Sequence, residues 1–288
     1  METSELLSKV RKIEIKTRGL SNNIFAGEYH SAFKGRGMTF SEVRSYQYGD
    51  DIRNIDWNVT ARQGHPYVKV FEEERELTVM LLVDVSGSGK FGTVGMWKNE
   101  LMTEISAVLA FSAIQNNDKI GVLFFTDRVE KFIPPNKGKT HILHIIRELL
   151  SFKPEGKGTD LNVALEYVTN SIKKRCTCFV LSDFMDVGDF SKSMAIANRK
   201  HDMVALRIYD RRETVLPSVG MVYLTDAETG EQVWVNTSDK KLRDSFKYGY
   251  MKKESEVIGI LKKSGVDVAN IATDDDYVKE LMVLFKRR

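Results

Sequence analysis

Carboxylate and hydroxyl side chains crowd a short loop that follows an apolar run. Asp84, Ser86 and Ser88 occupy alternate positions directly after residues 77–83, which are uncharged and mostly aliphatic. Gly87 and Gly89 free the backbone to turn sharply. Three oxygen-bearing side chains on so tight a loop, at the end of a buried strand, predict a site for a cation or an anion.

Two further oxygen-bearing residues favour a cation. Thr159 lies in a glycine-flanked loop at residues 156–160, where it can also cap the following helix, and Asp183 directly follows an apolar run at residues 177–182. Two carboxylates and three hydroxyls are hard ligands, which suit one Mg²⁺ or Mn²⁺ ion better than zinc. So few protein charges leave a coordination position for a carboxylate from outside.

The elements that must position these residues alternate from residue 77 onward. Buried strands are predicted at 77–83, 119–126, 177–182, 202–209 and 266–271, with amphipathic helices between them. Strands separated by helices predict a doubly wound, mostly parallel α/β sheet, and the short break before residues 129–133 makes that segment an antiparallel edge strand. Ligands of such sheets bind beyond the carboxyl ends of the strands, where all five candidate residues fall.

Two other segments depart from this alternation. Residues 1–75 are expected to form an N-terminal helix, over 1–15, and a loop-rich subdomain of aromatic residues and Arg–Asp pairs. Residues 76–288 form the sheet domain, interrupted by a β-hairpin insertion at about 215–238.

Composition excludes several classes of protein. The net charge of +3 is too small to indicate nucleic-acid binding, and no apolar run reaches the length of a membrane span. Without a hydrophobic targeting segment, and with Cys176 and Cys178 interpreted as reduced thiols, we expect a cytoplasmic protein.

Three segments in order, Asp84–Ser88, Gly158–Asp160 and Leu181–Asp183, resemble the metal-ion-dependent adhesion site of von Willebrand factor A-type domains. The resemblance implies a six-stranded sheet with one antiparallel edge strand. It also implies that Ser86, Ser88 and Thr159 bind the metal directly, while Asp84 and Asp183 bind it directly or through water. Phe184 stands where many members have glycine.

The preceding region resembles a second, longer signature. Residues 35–37, 49–57 and 61–62, with Phe40, Arg44 and Tyr46, are similar to those of the bacterial family called domain of unknown function 58. Members often sit beside MoxR-type AAA+ ATPases and are thought to assist them in assembling or activating other proteins. The resemblance implies an accessory to such an ATPase.

Three interpretations stay open. In the first, the chain is a non-enzymatic interaction module without catalytic residues, whose metal captures an Asp or Glu of a protein partner. In the second, Gly87, Gly89 and Gly92 form the G-x-G-x-x-G loop of a nucleotide- or dinucleotide-binding enzyme, although Asp84 would repel a pyrophosphate. In the third, the motif is purely structural: Asp84 caps loop amides and Thr159 its helix, with no ion bound.

Overall fold

The computed structural model describes residues 39–72, 77–90, 92, 96–156, 158–185, 188–225 and 232–288. The helix predicted over residues 1–15 lies outside these ranges. The chain divides into two units, of which the smaller comprises residues 34–77, and the larger continues from Thr78 to Arg288.

The smaller unit contains a two-stranded antiparallel sheet that the sequence analysis did not predict. Strand β1 (Thr39–Ser45) pairs with β2 (Tyr67–Glu72), and helix α1 (Trp57–Gln63) lies between them in the chain. Asp56 caps α1 through the backbone N–H groups of its first turn.

An ion pair beside β1 accounts for part of the charged signature. The guanidinium of Arg44 donates to both carboxylate oxygens of Asp50, at 2.7 and 2.8 Å. Asp50 also accepts the backbone N–H of Gln47, so the pair fixes the turn that follows the strand. Bidentate pairs of this kind define geometry as well as energy, which gives these two residues a structural role.

The described residues of the larger unit contain eight strands and seven helices. The strands are β3 (Thr78–Asp84), β4 (Lys119–Phe125), β5 (Val129–Asn136), β6 (Thr177–Ser182), β7 (Asp202–Tyr209), β8 (Met221–Thr225), β9 (Gln232–Asn236) and β10 (Asp267–Ala272). The helices are α2 (Lys98–Gln115), α3 (Lys139–Ser151), α4 (Leu161–Ser171), α5 (Ser191–Lys200), α6 (Arg211–Thr214), α7 (Lys240–Lys263) and α8 (Tyr277–Arg287).

Six of these strands form the central sheet, in the order β10-β7-β6-β3-β4-β5. Neighbours are parallel except for β5, which runs antiparallel to β4 at the edge. The predicted six-stranded, doubly wound sheet with one antiparallel edge strand is confirmed. The chain leaves β3 towards β4 on one side, whereas β6 leads to β7 on the other. The crevice where ligands bind therefore opens between the carboxyl ends of β3 and β6.

The sheet is buried on both faces, as continuous apolar strands require. Because side chains alternate along a strand, Met80 and Leu82 of β3 face one core, which α4, α5 and the second half of α7 cover. On β6, Phe179 points to the opposite face and contacts Phe285 of α8.

The predicted hairpin insertion is present as the pair β8–β9, which forms a separate two-stranded sheet. Tyr223 and Trp234 face each other across it with ring centroids 4.9 Å apart, and both side chains are exposed.

Helix α7 has 24 residues, of which only Val257 and Leu261 are buried. Within the ranges that the structure describes, no helix combines the length and apolarity needed to cross a membrane.

Candidate metal centre

The loop after β3 brings together one carboxylate and two hydroxyls. Asp84 ends the strand, is buried, and accepts the backbone N–H of Ser86 on its Oδ1 at 2.9 Å. This bond closes a tight turn, which continues as a 3-10 turn over Gly87–Lys90. Ser86 Oγ then lies 3.0 Å from Ser88 Oγ.

The neighbouring strand adds the second carboxylate. Because β6 pairs in parallel with β3, its carboxyl end lies beside Asp84, and Ser182 Oγ donates to Asp84 Oδ2 at 2.7 Å. Asp183 is also buried, and it accepts a hydrogen bond from Ser88. Four of the five predicted ligands are therefore linked. Ser182 was not among them, although it holds Asp84 in place.

Thr159 reaches the same edge of the sheet on a loop of its own. The backbone N–H of Asp160 donates to the carbonyl of Thr126, just beyond β4, at 3.0 Å, and Thr159 is 9% exposed. Thr159 was also considered as the cap of the next helix, and this is wrong. Asp160 caps α4, because its carboxylate accepts the backbone N–H of Asn162 at 2.9 Å.

Phe184 shapes the third loop. Its φ of 57° lies in the left-handed region, which glycine adopts without strain and a bulky residue does not. The ring is fully buried 6.2 Å from that of Phe190, and the backbone N–H donates to Ser182 Oγ. Packing of the ring thus holds a strained backbone directly after Asp183.

The two buried carboxylates have opposite pKa shifts. Burial, and next the charge of Asp183, raises the pKa of Asp84 to about 6. Burial would also raise the pKa of Asp183, but the ammonium group of Lys98 outweighs it and holds that pKa below its ordinary value. Asp183 therefore carries the more stable negative charge of the pair.

Lys98 is the functional residue that sequence reasoning missed. Its side chain is 1% exposed, and its Nζ donates to Asp183 Oδ2 at 2.9 Å and to Glu213 Oε1 at 2.7 Å. The signal was its position at the start of α2, three and seven residues before the buried Leu101 and Ile105, on the same helical face. A lysine on an inward face must be paired.

The donor set fits a hard cation. In octahedral Mg²⁺, with bonds of 2.0–2.1 Å, adjacent oxygen ligands lie about 2.9 Å apart, close to the separation of Ser86 Oγ and Ser88 Oγ. Both oxygens of Asp183 already accept one hydrogen bond, from Lys98 and from the backbone of Met185. Ser88 supplies a third hydrogen bond to this carboxylate, which leaves one of its roughly four acceptor positions for contact through a metal-bound water.

The geometry does not favour a dinucleotide. A cavity of about 80 Å³ adjoins Asp84 and Ser86, far below the volume that a cofactor of that size needs. Among the residues that the structure describes, α2 begins only at Lys98, and Gly87 and Gly89 lie in a 3-10 turn and not at the start of an α-helix. Close local packing explains the glycine at position 92 instead, because a Cβ there would lie 2.7 Å from the backbone of Met96 and Trp97.

Fold and sequence define the class of protein. The central sheet with its crevice between β3 and β6 makes the larger unit a von Willebrand factor A-like α/β domain. Residues 42–256 match the model of the family described as Protein of unknown function DUF58. This span covers most of the 288-residue chain, and the chain belongs to that family.

The chain is also similar to a relative in sequence and to solved structures in fold. The chain is 28% identical to the uncharacterized protein Rv1480 of Mycobacterium tuberculosis (strain ATCC 25618 / H37Rv), over 98% of this chain and 89% of that one. It is similar in fold to the conserved hypothetical protein BatB from Bacteroides thetaiotaomicron, with a TM-score of 0.50, 15% identity, and coverage of 73% of this chain and 98% of that chain. An aerotolerance-related membrane protein from Bacteroides fragilis NCTC 9343 has a TM-score of 0.51 and 14% identity, with coverage of 74% and 100%.

Proposed function

We propose that this chain is a protein-interaction module whose binding face is the carboxyl edge of the sheet. Asp84, Ser86, Ser88, Thr159 and Asp183 hold one Mg²⁺ or Mn²⁺ ion there, and an Asp or Glu of a protein partner completes its coordination. The observation that carries the proposal is the linked cluster of Asp84, Ser86, Ser88 and Asp183 at the crevice of the sheet.

Charge supports a carboxylate as the captured group. Two carboxylates and one divalent ion are neutral together, and the nearby Lys98 and Glu213 balance each other, so the site has no excess negative charge to repel a further carboxylate. An ion that has hydroxyl ligands and few negatively charged ligands remains a strong Lewis acid. It therefore attracts a further anionic oxygen.

Calorimetric titration of Mn²⁺ into the full chain tests the metal. The wild type should bind one ion, and Asp84→Ala should bind none. Asp127→Asn is the matched control, because Asp127 is a half-exposed carboxylate just beyond β4, and it should behave as the wild type. Equal heats for the wild type and Asp84→Ala would reject the metal site.

The finer proposal concerns the partner. The signature over residues 35–62 resembles proteins that act with MoxR-type AAA+ ATPases, and we propose such an ATPase as the partner. A purified MoxR-type ATPase from the same genome should bind the immobilised chain in the presence of Mg²⁺. Chelator or Asp183→Ala should abolish this binding if the metal mediates it. If the ATPase still binds in chelator and to Asp183→Ala, the chain is an interaction module that does not use the metal.

A further inference from the structure

A second cluster of ligand-type side chains lies at the opposite, amino edge of the sheet. Cys176 immediately precedes β6, Cys178 lies on β6, and His201 separates α5 from β7. The backbone N–H of Asp202 donates to the carbonyl of Cys176 at 2.9 Å and fixes the beginnings of the two strands together. Residues 25 positions apart therefore meet at one point.

The three side chains converge closely. The sulfur atoms of Cys176 and Cys178 are 3.5 Å apart, and Cys176 Sγ lies 3.2 Å from His201 Nδ1. One ligand-type atom from each residue lies within 4.8 Å of the others. The two thiols point to the same side because they are two residues apart on extended chain.

These separations approach those around a tetrahedral ion. Zinc binds sulfur at about 2.3 Å and imidazole nitrogen at 2.0–2.1 Å, which places two sulfur ligands about 3.8 Å apart and sulfur and nitrogen about 3.6 Å apart. The observed distances are shorter by about 0.3–0.4 Å, a difference that small side-chain rotations remove.

Both thiols of the cluster lie in the hydrophobic core on one face of the sheet. Cys178 and His201 are 0% exposed and Cys176 is 4% exposed. The Nε2 atom of His201 has no hydrogen-bond partner among the residues that the structure describes, so the sulfur contact is the polar interaction that its ring makes there.

The two thiols differ in their electrostatics, because hydrogen bonding to Cys176, and next burial, raises the pKa of Cys178. Hydrogen bonding from Cys178, and next from His201, outweighs burial and lowers the pKa of the Cys176 thiol to about 6. A thiolate in an apolar core needs an opposite charge beside it.

We propose that Cys176, Cys178 and His201 form a second metal site, which binds one Zn²⁺ ion. Both thiols release their protons to solvent on binding, so two thiolates, a neutral imidazole and Zn²⁺ are neutral together. Soft thiolate ligands select Zn²⁺ or Cu⁺ over Mg²⁺ and Mn²⁺, so the two edges of one sheet take different metals. The fourth position of the zinc belongs to water or to a ligand from outside the cluster.

Cobalt serves as the probe, because Co²⁺ bound by thiolates absorbs strongly through sulfur-to-metal charge transfer. The reduced, metal-stripped wild type should develop this absorption with one equivalent of Co²⁺ and lose it when one equivalent of Zn²⁺ is added. The chain has two cysteines, so thiolate absorption can arise only from this cluster. Its absence in the wild type would overturn the proposal, whether or not any variant folds.

Matched variants separate the two edges. Cys178→Ser should reduce Zn²⁺ affinity at least tenfold, measured by competition with a chromophoric chelator, and should leave Mn²⁺ binding intact. Asp84→Ala should abolish Mn²⁺ binding and should leave the Zn²⁺ affinity intact. Unchanged Zn²⁺ affinity in a folded Cys178→Ser chain, or displacement of Co²⁺ by Cu⁺ but not by Zn²⁺, would contradict the assignment of zinc.

Discussion

The two edges of the central sheet carry different chemistry on the same strands. At the carboxyl edge, β3 and β6 present the oxygen atoms of Asp84 and Asp183, with the buried ammonium group of Lys98 beside them. At the amino edge, β6 and β7 bring together the sulfur and nitrogen atoms of Cys176, Cys178 and His201. Parallel strands begin together and end together, so each edge gathers residues that are distant in sequence.

The edges also differ in how their charges are stabilised. The carboxyl edge has a protein cation, since Lys98 pairs with Asp183 and Glu213. At the amino edge, hydrogen bonds from Cys178 and next from His201 lower the pKa of Cys176, with smaller electrostatic contributions from His201 and Lys200. Substitutions at one edge should therefore leave the other unaffected, and the pH dependence of stability tests this separation.

The largest effect is expected at Phe184, which supports the carboxyl edge. Phe184→Ala should lower the free energy of unfolding by about 3–5 kcal/mol, because it empties a fully buried ring position. Phe184→Gly should be less harmful than alanine by about 1 kcal/mol, since glycine accepts the φ of 57° without strain. Urea denaturation of the three chains measures both differences. A glycine variant less stable than the alanine variant would show that the backbone there is not strained.

Lys98→Met should have the next largest effect. It leaves two carboxylates without their cation in a buried site, which should cost about 3 kcal/mol of stability. Lys131→Met is the control, because its pair with Glu148 is partly exposed and should contribute less than about 1 kcal/mol. If Lys98→Met folds, Mn²⁺ should bind it more tightly, as the competing positive charge is gone. An equal loss of stability in the two variants would contradict a special role for Lys98.

The smallest effect concerns pH, and the two edges should respond in opposite directions. In chelator, the raised folded-state pKa of Asp84, about 6, means that the folded protein binds the proton more tightly than the unfolded chain does. Its contribution therefore rises as pH falls, by about 1 kcal/mol between pH 7.5 and pH 5. The lowered pKa of Cys176 instead adds stability as pH rises from about 6 towards 9.

Thermal melts across this range should show both slopes. Asp84→Asn should remove the gain at low pH, and Cys176→Ser should remove the gain at high pH. A single variant that abolished both slopes would mean that the edges are coupled.

The pattern of apolar residues was sufficient to predict most strands of the central sheet. Continuous apolar runs such as residues 77–83 predict buried parallel strands, and the short break after Phe125 predicts the antiparallel edge strand β5. The strands β1 and β2 were not predicted, because their charged and aromatic residues do not alternate in the way that a half-buried sheet requires.

The sequence could predict those residues of the site that directly follow a strand. Asp84 and Asp183 each end an apolar run, which marks them in the sequence. Lys98 and His201 carry no such mark, since one opens a helix and the other lies in a short connection. Their partners, Asp183 and Cys176, are 85 and 25 residues away, and only the fold brings them into contact.

Anomalous diffraction from crystals soaked in Mn²⁺ would locate the ion at the carboxyl edge. We expect one strong manganese peak at bonding distance from Ser86 Oγ and Ser88 Oγ, between Asp84 and Asp183, which disappears in Asp84→Ala. A map without a peak at that position, with the Lys98 ammonium still paired to Asp183, would contradict the metal site.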